Sequence, residues 1–200
     1  SNALGQVVLQ FDRPDHDDLD EENLSHRYLW GQAVDQLFAD EQVDWTDSDA
    51  DGEVLWAITD RVGSVRDMID SNGDLRVHRR YDSFGNITDE THYNTSASSV
   101  TFGQTGYVDE AFAFTGRLYD ESTGLQNNLH RWYNPAIGRW MSQDPMSFAA
   151  GDANLYRYLG NSPTNSIDPA GLQAPAPNVE NGKTPKGRDP NEPKPQSPMK

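Results

Sequence analysis

The chain has 200 residues, no cysteine and a net charge of −16 at neutral pH. The lack of cysteine excludes a disulfide scaffold, a thiol nucleophile and thiolate-bound zinc or iron–sulfur sites. The negative charge argues against nucleic acid or an anionic membrane as a partner. No apolar run reaches the length of a transmembrane helix. Residues 1–3, Ser-Asn-Ala, are typical of an expression scar. The lack of a signal peptide in this sequence therefore gives no information about the compartment in which the protein acts.

Acidic residues are concentrated at the start of the chain. The first 60 residues carry 16 acidic side chains against two basic ones, whereas the remaining 140 carry 16 acids and 14 bases. We therefore treat residues 4–53 as an acidic N-terminal segment. A stretch within it, residues 34–42, predicts one short helix in a chain that otherwise contains little helix.

A loop of the acidic segment is similar to half of a calcium site. Residues 47–52, Asp-Ser-Asp-Ala-Asp-Gly, match the first half of an EF-hand loop. Ile58 stands where that loop needs a bidentate glutamate. An acidic hairpin loop explains the same residues better, so calcium binding is the weaker interpretation. Its candidate ligands are Asp47, Asp49 and Asp51. We expect no other cofactor, because the five histidines lack metal-ligand spacing.

Two turn signals recur in the middle of the chain and predict the fold class. The pattern Asp-x-x-Gly begins at Asp60, Asp70 and Asp82, and Tyr-(Asp/Asn)-x-x-x-Gly begins at Tyr119 and Tyr133. Aspartate opens such turns through its side chain, and glycine supplies the positive φ that closes them. Alternating apolar and polar residues separate the turns. The sequence thus predicts a mainly β protein, built in series from antiparallel hairpins.

A pair of Asp-Pro turns is the strongest candidate for chemistry. Asp144-Pro145 and Asp168-Pro169 lie 24 residues apart. If the fold brings the carboxyls together, one keeps a proton, and the pair then supplies the general base and general acid that peptide hydrolysis requires. Arg139 is close enough in sequence to serve as a charge partner. Taken alone, Asp-Pro most often only opens a turn, and Arg139 most often stacks on a tryptophan or forms an ordinary ion pair.

Motifs spread over about residues 54–172 resemble the end of the Rhs/YD-repeat proteins and their repeat-associated core. The resemblance rests on the two Asp-Pro turns and on residues 60–66, 81–86, 114–117, 119–120, 131–135, 138–140, 154–158, 161–163 and 168–172. These motifs occur in the family's order and spacing, over more than half of the chain. The acidic segment and residues 173–200 lie outside the resemblance.

The resemblance implies a structural role and a reaction. Family members are large secreted or surface proteins of bacteria, whose repeats wind a β-ribbon into a hollow shell that the core closes. Many cut themselves after the leucine of D-P-x-G-L and so free a C-terminal toxin. Carried over, Asp144 and Asp168 are the acid–base pair, Arg139 is their charge partner, and the bond cut is Leu172–Gln173. The implied partners are the chain's own C-terminal segment and the rest of the shell.

The chain departs from the family pattern in three places. Met146-Ser147-Phe148 follows the first Asp-Pro, where the family often has glycine and an apolar residue. The long repeat array is missing. Only 28 residues follow Leu172, 7 of the 12 prolines among them, and we expect this tail, residues 173–200, to be disordered or extended.

Two interpretations of function follow. In the first, the chain is a possible endopeptidase of the aspartic type that acts once, in cis. In the second, it is a non-catalytic structural or interaction module of a bacterial surface or wall-associated protein, and both aspartates only form turns. The distance between the two carboxyls, and from them to Leu172, distinguishes the interpretations.

Overall fold

The computed structural model describes residues 6–12, 23–43, 52–94, 96, 98–101, 104 and 107–172. The described residues form two antiparallel sheets, in each of which strands that follow one another in sequence are neighbours. The first sheet comprises β1 (Leu9–Phe11), β2 (Leu24–Trp30), β3 (Leu37–Gln42), β4 (Glu53–Thr59), β5 (Val65–Ile69), β6 (Leu75–Tyr81), β7 (Ile87–Tyr93) and β8 (Ser99–Val100). The second comprises β9 (Tyr119–Asp120), β10 (Leu125–Asn128), β11 (Arg131–Asn134) and β12 (Arg139–Trp140).

The structure confirms the predicted class, mainly β with little helix. Helical geometry in the described residues takes the form of short 3-10 turns, among them Phe114–Gly116, Ser147–Ala150 and Leu159–Asn161. No helix in that part of the chain has the length and apolar character needed to cross a bilayer. The first sheet runs without a break through the predicted domain boundary at residue 54, because β3 pairs with β4.

The Asp-x-x-Gly turns form as the sequence predicts. At Asp60 the side-chain Oδ1 accepts hydrogen bonds from the backbone N–H groups of Val62 and Ser64, each at 3.0 Å. Gly63 closes the turn with a φ of +85° and donates its N–H to the Asp60 carbonyl. The turns that begin at Asp70 and Asp82 repeat this arrangement. The repeat therefore corresponds to one strand and one turn.

The helix predicted over residues 34–42 is wrong, because residues 37–42 form β3. Asp35 has a φ of +56°, which interrupts a right-handed helix at its start. From Leu37 onward, pairing with β2 on one side and β4 on the other supplies backbone partners along the strand. Local propensity is a weak guide where two neighbouring strands supply these bonds.

Two hydrophobic cores lie against the sheets. Residues 107–118, here called the connecting segment, pack Val108 and Phe112 onto one face of the first sheet, on residues that include Leu55 and Met68. The connecting segment also contributes Phe114 to an aromatic second core. The other members of that core are Tyr133, Trp140, Tyr158 and Leu159. The segment thus joins the two sheets.

A buried arginine of the first sheet, Arg79, attaches the connecting segment to that sheet, and the segment itself carries a buried glutamate, Glu110. Arg79 of β6 donates to the backbone carbonyls of Phe112 and Glu110, at 2.9 and 3.1 Å, and pairs with Glu90 at 2.7 Å. Glu110 is itself buried. Its Oε1 accepts the N–H of Phe112, whereas Oε2 has no partner among the described residues. Burial, reinforced by the charge of Asp40 and opposed by Arg79, raises the pKa of Glu110 to about 8.

This raised pKa makes stability depend on pH. An unfolded glutamate has a pKa of about 4.5, so between that value and about 8 the folded chain retains a proton that the unfolded chain has lost. The free energy of unfolding therefore falls as the pH rises through this interval. Glu110→Gln removes this fall in the free energy of unfolding, because a glutamine side chain is never charged. We expect the free energy of unfolding of the variant to exceed that of the wild type by about 4 kcal/mol near pH 8 and by less than about 1 kcal/mol near pH 5.

Urea unfolding followed by tryptophan fluorescence at the two pH values measures this difference. Asp89→Asn, at an exposed position of β7, is the control and should behave like the wild type at both. A stability difference for Glu110→Gln that is equal at the two pH values would contradict an uncharged, buried Glu110.

Candidate active site

Both Asp-Pro turns are present, and each aspartate bonds its own turn. Oδ1 of Asp144 accepts the N–H of Met146 at 2.8 Å, and the Asp144 carbonyl accepts the N–H of Ser147. Oδ1 of Asp168 accepts the N–H of Leu172 at 3.0 Å, and its carbonyl accepts the N–H of Gly171. One oxygen of each carboxylate is therefore committed to a turn, and the other is directed elsewhere.

The two remaining oxygens meet at one nitrogen atom of Arg131. Nη2 of Arg131 lies 3.1 Å from Oδ2 of Asp144 and 3.4 Å from Oδ2 of Asp168. The side chains of Arg131, Asp144 and Asp168 are 1%, 8% and 2% exposed. The fold thus brings together two carboxylates that are 24 residues apart in sequence, almost fully removed from water, around a single cation.

Several contacts hold the guanidinium of Arg131 in this position. Its Cζ lies 4.1 Å from the centre of the Trp140 ring. Nε donates to the carbonyl oxygen of Gly171, and Nη1 lies 3.5 Å from the carbonyl oxygen of Leu155. Burial lowers the pKa of Arg131, and the two aspartates oppose that shift. An arginine remains protonated even so, and its charge offsets the mutual repulsion of the two carboxylates.

Arg139, the charge partner predicted from the sequence, lies elsewhere. Its side chain is exposed, and its Cζ stands 5.5 Å from the centre of the Tyr156 ring. The placement of the two arginines follows from the side of β11 and β12, buried or outward, that each of them faces. Tyr133 and Trp140 are directly paired across β11 and β12 and are both buried. Arg131, two residues before Tyr133, shares the buried face, whereas Arg139, next to Trp140, faces outward.

Arg131 is the residue that the sequence reasoning missed. It lies within the motif of residues 131–135, and the strand alternation of Arg131-Trp132-Tyr133 was available as a signal. The alternation shows that Arg131 and Tyr133 share one face of the strand. Whether that face is buried is known only once the buried partner of Tyr133 is identified. Proximity in sequence to Asp144 favoured Arg139 instead.

The hairpin of β10 and β11 holds the residues that precede the predicted scissile bond. Asn128 donates its Nδ2 to the Asp168 carbonyl at 2.7 Å. The backbone N–H of His130 lies 3.2 Å from the Ala170 carbonyl oxygen, and its Nδ1 lies 2.9 Å from the same atom. Gly171 has a φ of +68°, and a Cβ there would lie 2.7 Å from the Asn128 carbonyl oxygen. Residues 168–172 are therefore fixed up to Leu172, which is half-buried.

Some predicted site residues lie outside the described part of the chain. Gln173, on the far side of the predicted scissile bond, is one of them, and so are the candidate calcium ligands Asp47, Asp49 and Asp51. Among the described residues, no three histidine, aspartate or glutamate side chains are grouped as a metal site would require.

Replacing each arginine in turn tests the central position of Arg131. Arg131→Met leaves two buried carboxylates facing each other without a cation, and we expect it to lower the free energy of unfolding by about 3 kcal/mol near neutral pH. Arg139→Met removes an exposed arginine and should cost less than about 1 kcal/mol. Urea unfolding measures both. Equal losses in the two variants would contradict the placement of Arg131 between the carboxylates.

Comparison with known proteins identifies the family. The family described as the teneurin YD-shell matches residues 30–164. The chain is 34% identical over 114 residues to the double-stranded DNA deaminase toxin A of Burkholderia cenocepacia, which covers 57% of this chain and 7% of that protein. It is 33% identical over 117 residues to the toxin protein Tse5 of Pseudomonas aeruginosa, which covers 58% of this chain and 8% of that protein.

Solved structures agree with this assignment. The crystal structure of TcdB2-TccC3-Cdc42 superposes with a TM-score of 0.55 and 26% sequence identity, over 74% of this chain and 6% of that one. The crystal structure of TcdB2-TccC3 has a TM-score of 0.56 at 23% identity, which shows a shared fold. The chain spans less than a tenth of the length of any of these four relatives. It belongs to the YD-shell family, among the Rhs/YD-repeat proteins.

Proposed function

We propose that this chain is the closing segment of an Rhs-like β-shell and that it cuts itself once, after Leu172, with Asp144 and Asp168. The observation that carries the proposal is the convergence of the two carboxylates on Nη2 of Arg131, with Asp168 also bonded to the N–H of Leu172. Asp168 therefore contacts the residue whose carbonyl carbon would be attacked, and Asp144 shares the Arg131 cation with Asp168.

The proposed reaction is hydrolysis of the Leu172–Gln173 peptide bond. The reaction requires one of the two aspartates to be ionised and the other to hold a proton. The ionised aspartate takes a proton from a water molecule, whose oxygen forms a bond to the carbonyl carbon of Leu172. The protonated aspartate gives its proton to the nitrogen of Gln173, and the carbon–nitrogen bond breaks. The products are a carboxylate at Leu172 and an amine at Gln173.

Arg131 supports this step electrostatically. Its Nε bonds the carbonyl oxygen of Gly171, the residue next to Leu172. A positive charge so close to the reacting peptide group would stabilise the negative charge that develops on its oxygen, and the near absence of solvent strengthens the effect. The proposed reaction is a single event in cis, because Asp168 lies only four residues before the bond it would help to cut.

The wider setting is part of the same proposal. The relatives named above are toxins by name, and the similar solved structures are TcdB2-TccC3 assemblies. By analogy, the chain would pair with the remainder of a secreted or surface shell, and the residues after Leu172 would be the segment released.

A second function is supported by a specific observation. Each aspartate also bonds its own turn, and Arg131 neutralises part of their charge. The same arrangement would act as a buried ionic link that joins the Asp-Pro turns to β11, in a module without catalysis. Catalysis distinguishes the two functions, because a structural link does not cut the chain.

Aspartate substitutions test the proposed reaction. Asp144→Asn and Asp168→Asn keep the turn-forming oxygen but cannot exchange a proton. We expect each to slow cleavage at Leu172–Gln173 by at least about 100-fold. The measurement is the intact mass of each purified full-length chain over time.

Asp152→Asn is the control, since Asp152 is bonded to Arg157 and stands apart from the pair. It should cut at the wild-type rate. Cleavage after Leu172 in the Asp168→Asn chain at an unchanged rate would remove Asp168 from the mechanism. A wild-type chain that keeps all 200 residues would contradict self-cleavage and would favour the structural function instead.

A further inference from the structure

A chain of two buried amide side chains leads along β10 to Asp168. Nε2 of Gln126 donates to Oδ1 of Asn128 at 2.8 Å, and Nδ2 of Asn128 donates to the Asp168 carbonyl oxygen at 2.7 Å. Gln126 and Asn128 are 1% and 0% exposed. They share a face of the strand because side chains two residues apart point the same way. We call the two side chains the amide relay.

The partners on each side fix the orientation of the relay. Asn128 can donate to the Asp168 carbonyl only through its nitrogen, so its oxygen must face Gln126. Gln126 must then present its own nitrogen, which leaves its Oε1 without a partner among the described residues. A buried, unpaired amide oxygen costs stability. Apolar side chains of similar size would fill the same space without that cost.

The relay ends on the residue that matters most to the proposed reaction. The Asp168 carbonyl accepts hydrogen bonds from Asn128 and from the N–H of Gly171. With its backbone held in this way, the side chain of Asp168 reaches Leu172 with one oxygen and Arg131 with the other. Asn128 is also directly paired with Arg131 across β10 and β11. The relay and the cation therefore hold Asp168 from one hairpin.

We propose that Gln126 and Asn128 are positioning residues for self-cleavage, which hold Asp168 so that its carboxyl meets Arg131 and the Leu172 peptide. This inference rests on the proposed function. Neither residue exchanges a proton with the substrate. Their effect is on the fraction of time that the Asp168 carboxyl spends in the productive position, and misplacement by a fraction of an ångström lowers a rate strongly.

Two substitutions of Gln126 test the relay one step away from Asp168. Gln126→Met has a similar size but cannot donate, and we expect it to slow cleavage by about 10-fold at every pH. Gln126→Glu cannot donate when ionised but can donate through its O–H when protonated. It should be as slow as Gln126→Met near pH 9 and should approach the wild-type rate near pH 5.

The full-length chains are unfolded in urea and refolded by dilution, and intact mass is followed over time at each pH. Tryptophan fluorescence gives the folded fraction, so that the rate is expressed per folded molecule. Gln32→Met, at an exposed position, is the matched control and should cut like the wild type. Equal rates per folded molecule for Gln126→Met and the wild type would overturn the positioning role.

A second measurement keeps the inference separate from the proposed function. Hydrogen exchange of the Gly171 and Leu172 amides reports directly on how firmly residues 168–172 are held. In Gln126→Met these amides should exchange at least about 10-fold faster than in the wild type, with Val77 of β6 unchanged. If no chain is cut, the proposed function fails and the role in cleavage fails with it, and the exchange then decides only whether the relay holds residues 168–172. Unchanged exchange at Gly171 and Leu172 would then overturn it.

Discussion

A single buried guanidinium, that of Arg131, connects the parts of the chain from which the candidate site is built. It bonds the two aspartates through one nitrogen, reaches Gly171 through another, and stacks on Trp140. These contacts join both Asp-Pro turns to β11 and to the aromatic second core. Without the cation, two carboxylates removed from water would repel each other.

One residue of the proposed catalytic pair lies on the segment that the proposed reaction would cut. Asp168 is fixed by its own turn and by β10, and it is only four residues before the proposed scissile bond. The close approach of the Gly171 backbone to Asn128 leaves no room for a Cβ. Precision here comes from backbone contacts with a rigid hairpin, which is how a site on a loop can reach the accuracy of one on a strand.

The sequence was sufficient to predict the architecture but not the full site. The Asp-x-x-Gly repeats specify turns through a local mechanism, aspartate side chain to backbone, and they formed as predicted. Asp144 and Asp168 were singled out by their Asp-Pro turns, and both turns form, whereas their role in catalysis stays a prediction. The helix predicted over residues 34–42 did not form, because residues 37–42 pair with the strands on either side as β3. Arg131 was missed in favour of Arg139 because the side that a strand residue faces is decided by its partner across the sheet, here Trp140 opposite Tyr133.

Cleavage in water enriched in oxygen-18 tests the central claim most directly. The full-length chain is refolded in labelled water, and the mass and position of the label are determined in the products. The account predicts a chain that ends at Leu172 with one labelled oxygen in its new terminal carboxylate, and unlabelled side chains at Asp144 and Asp168. An uncut chain, a cut at another bond, or label in either aspartate would contradict hydrolysis of the Leu172–Gln173 bond by water between the two carboxyls.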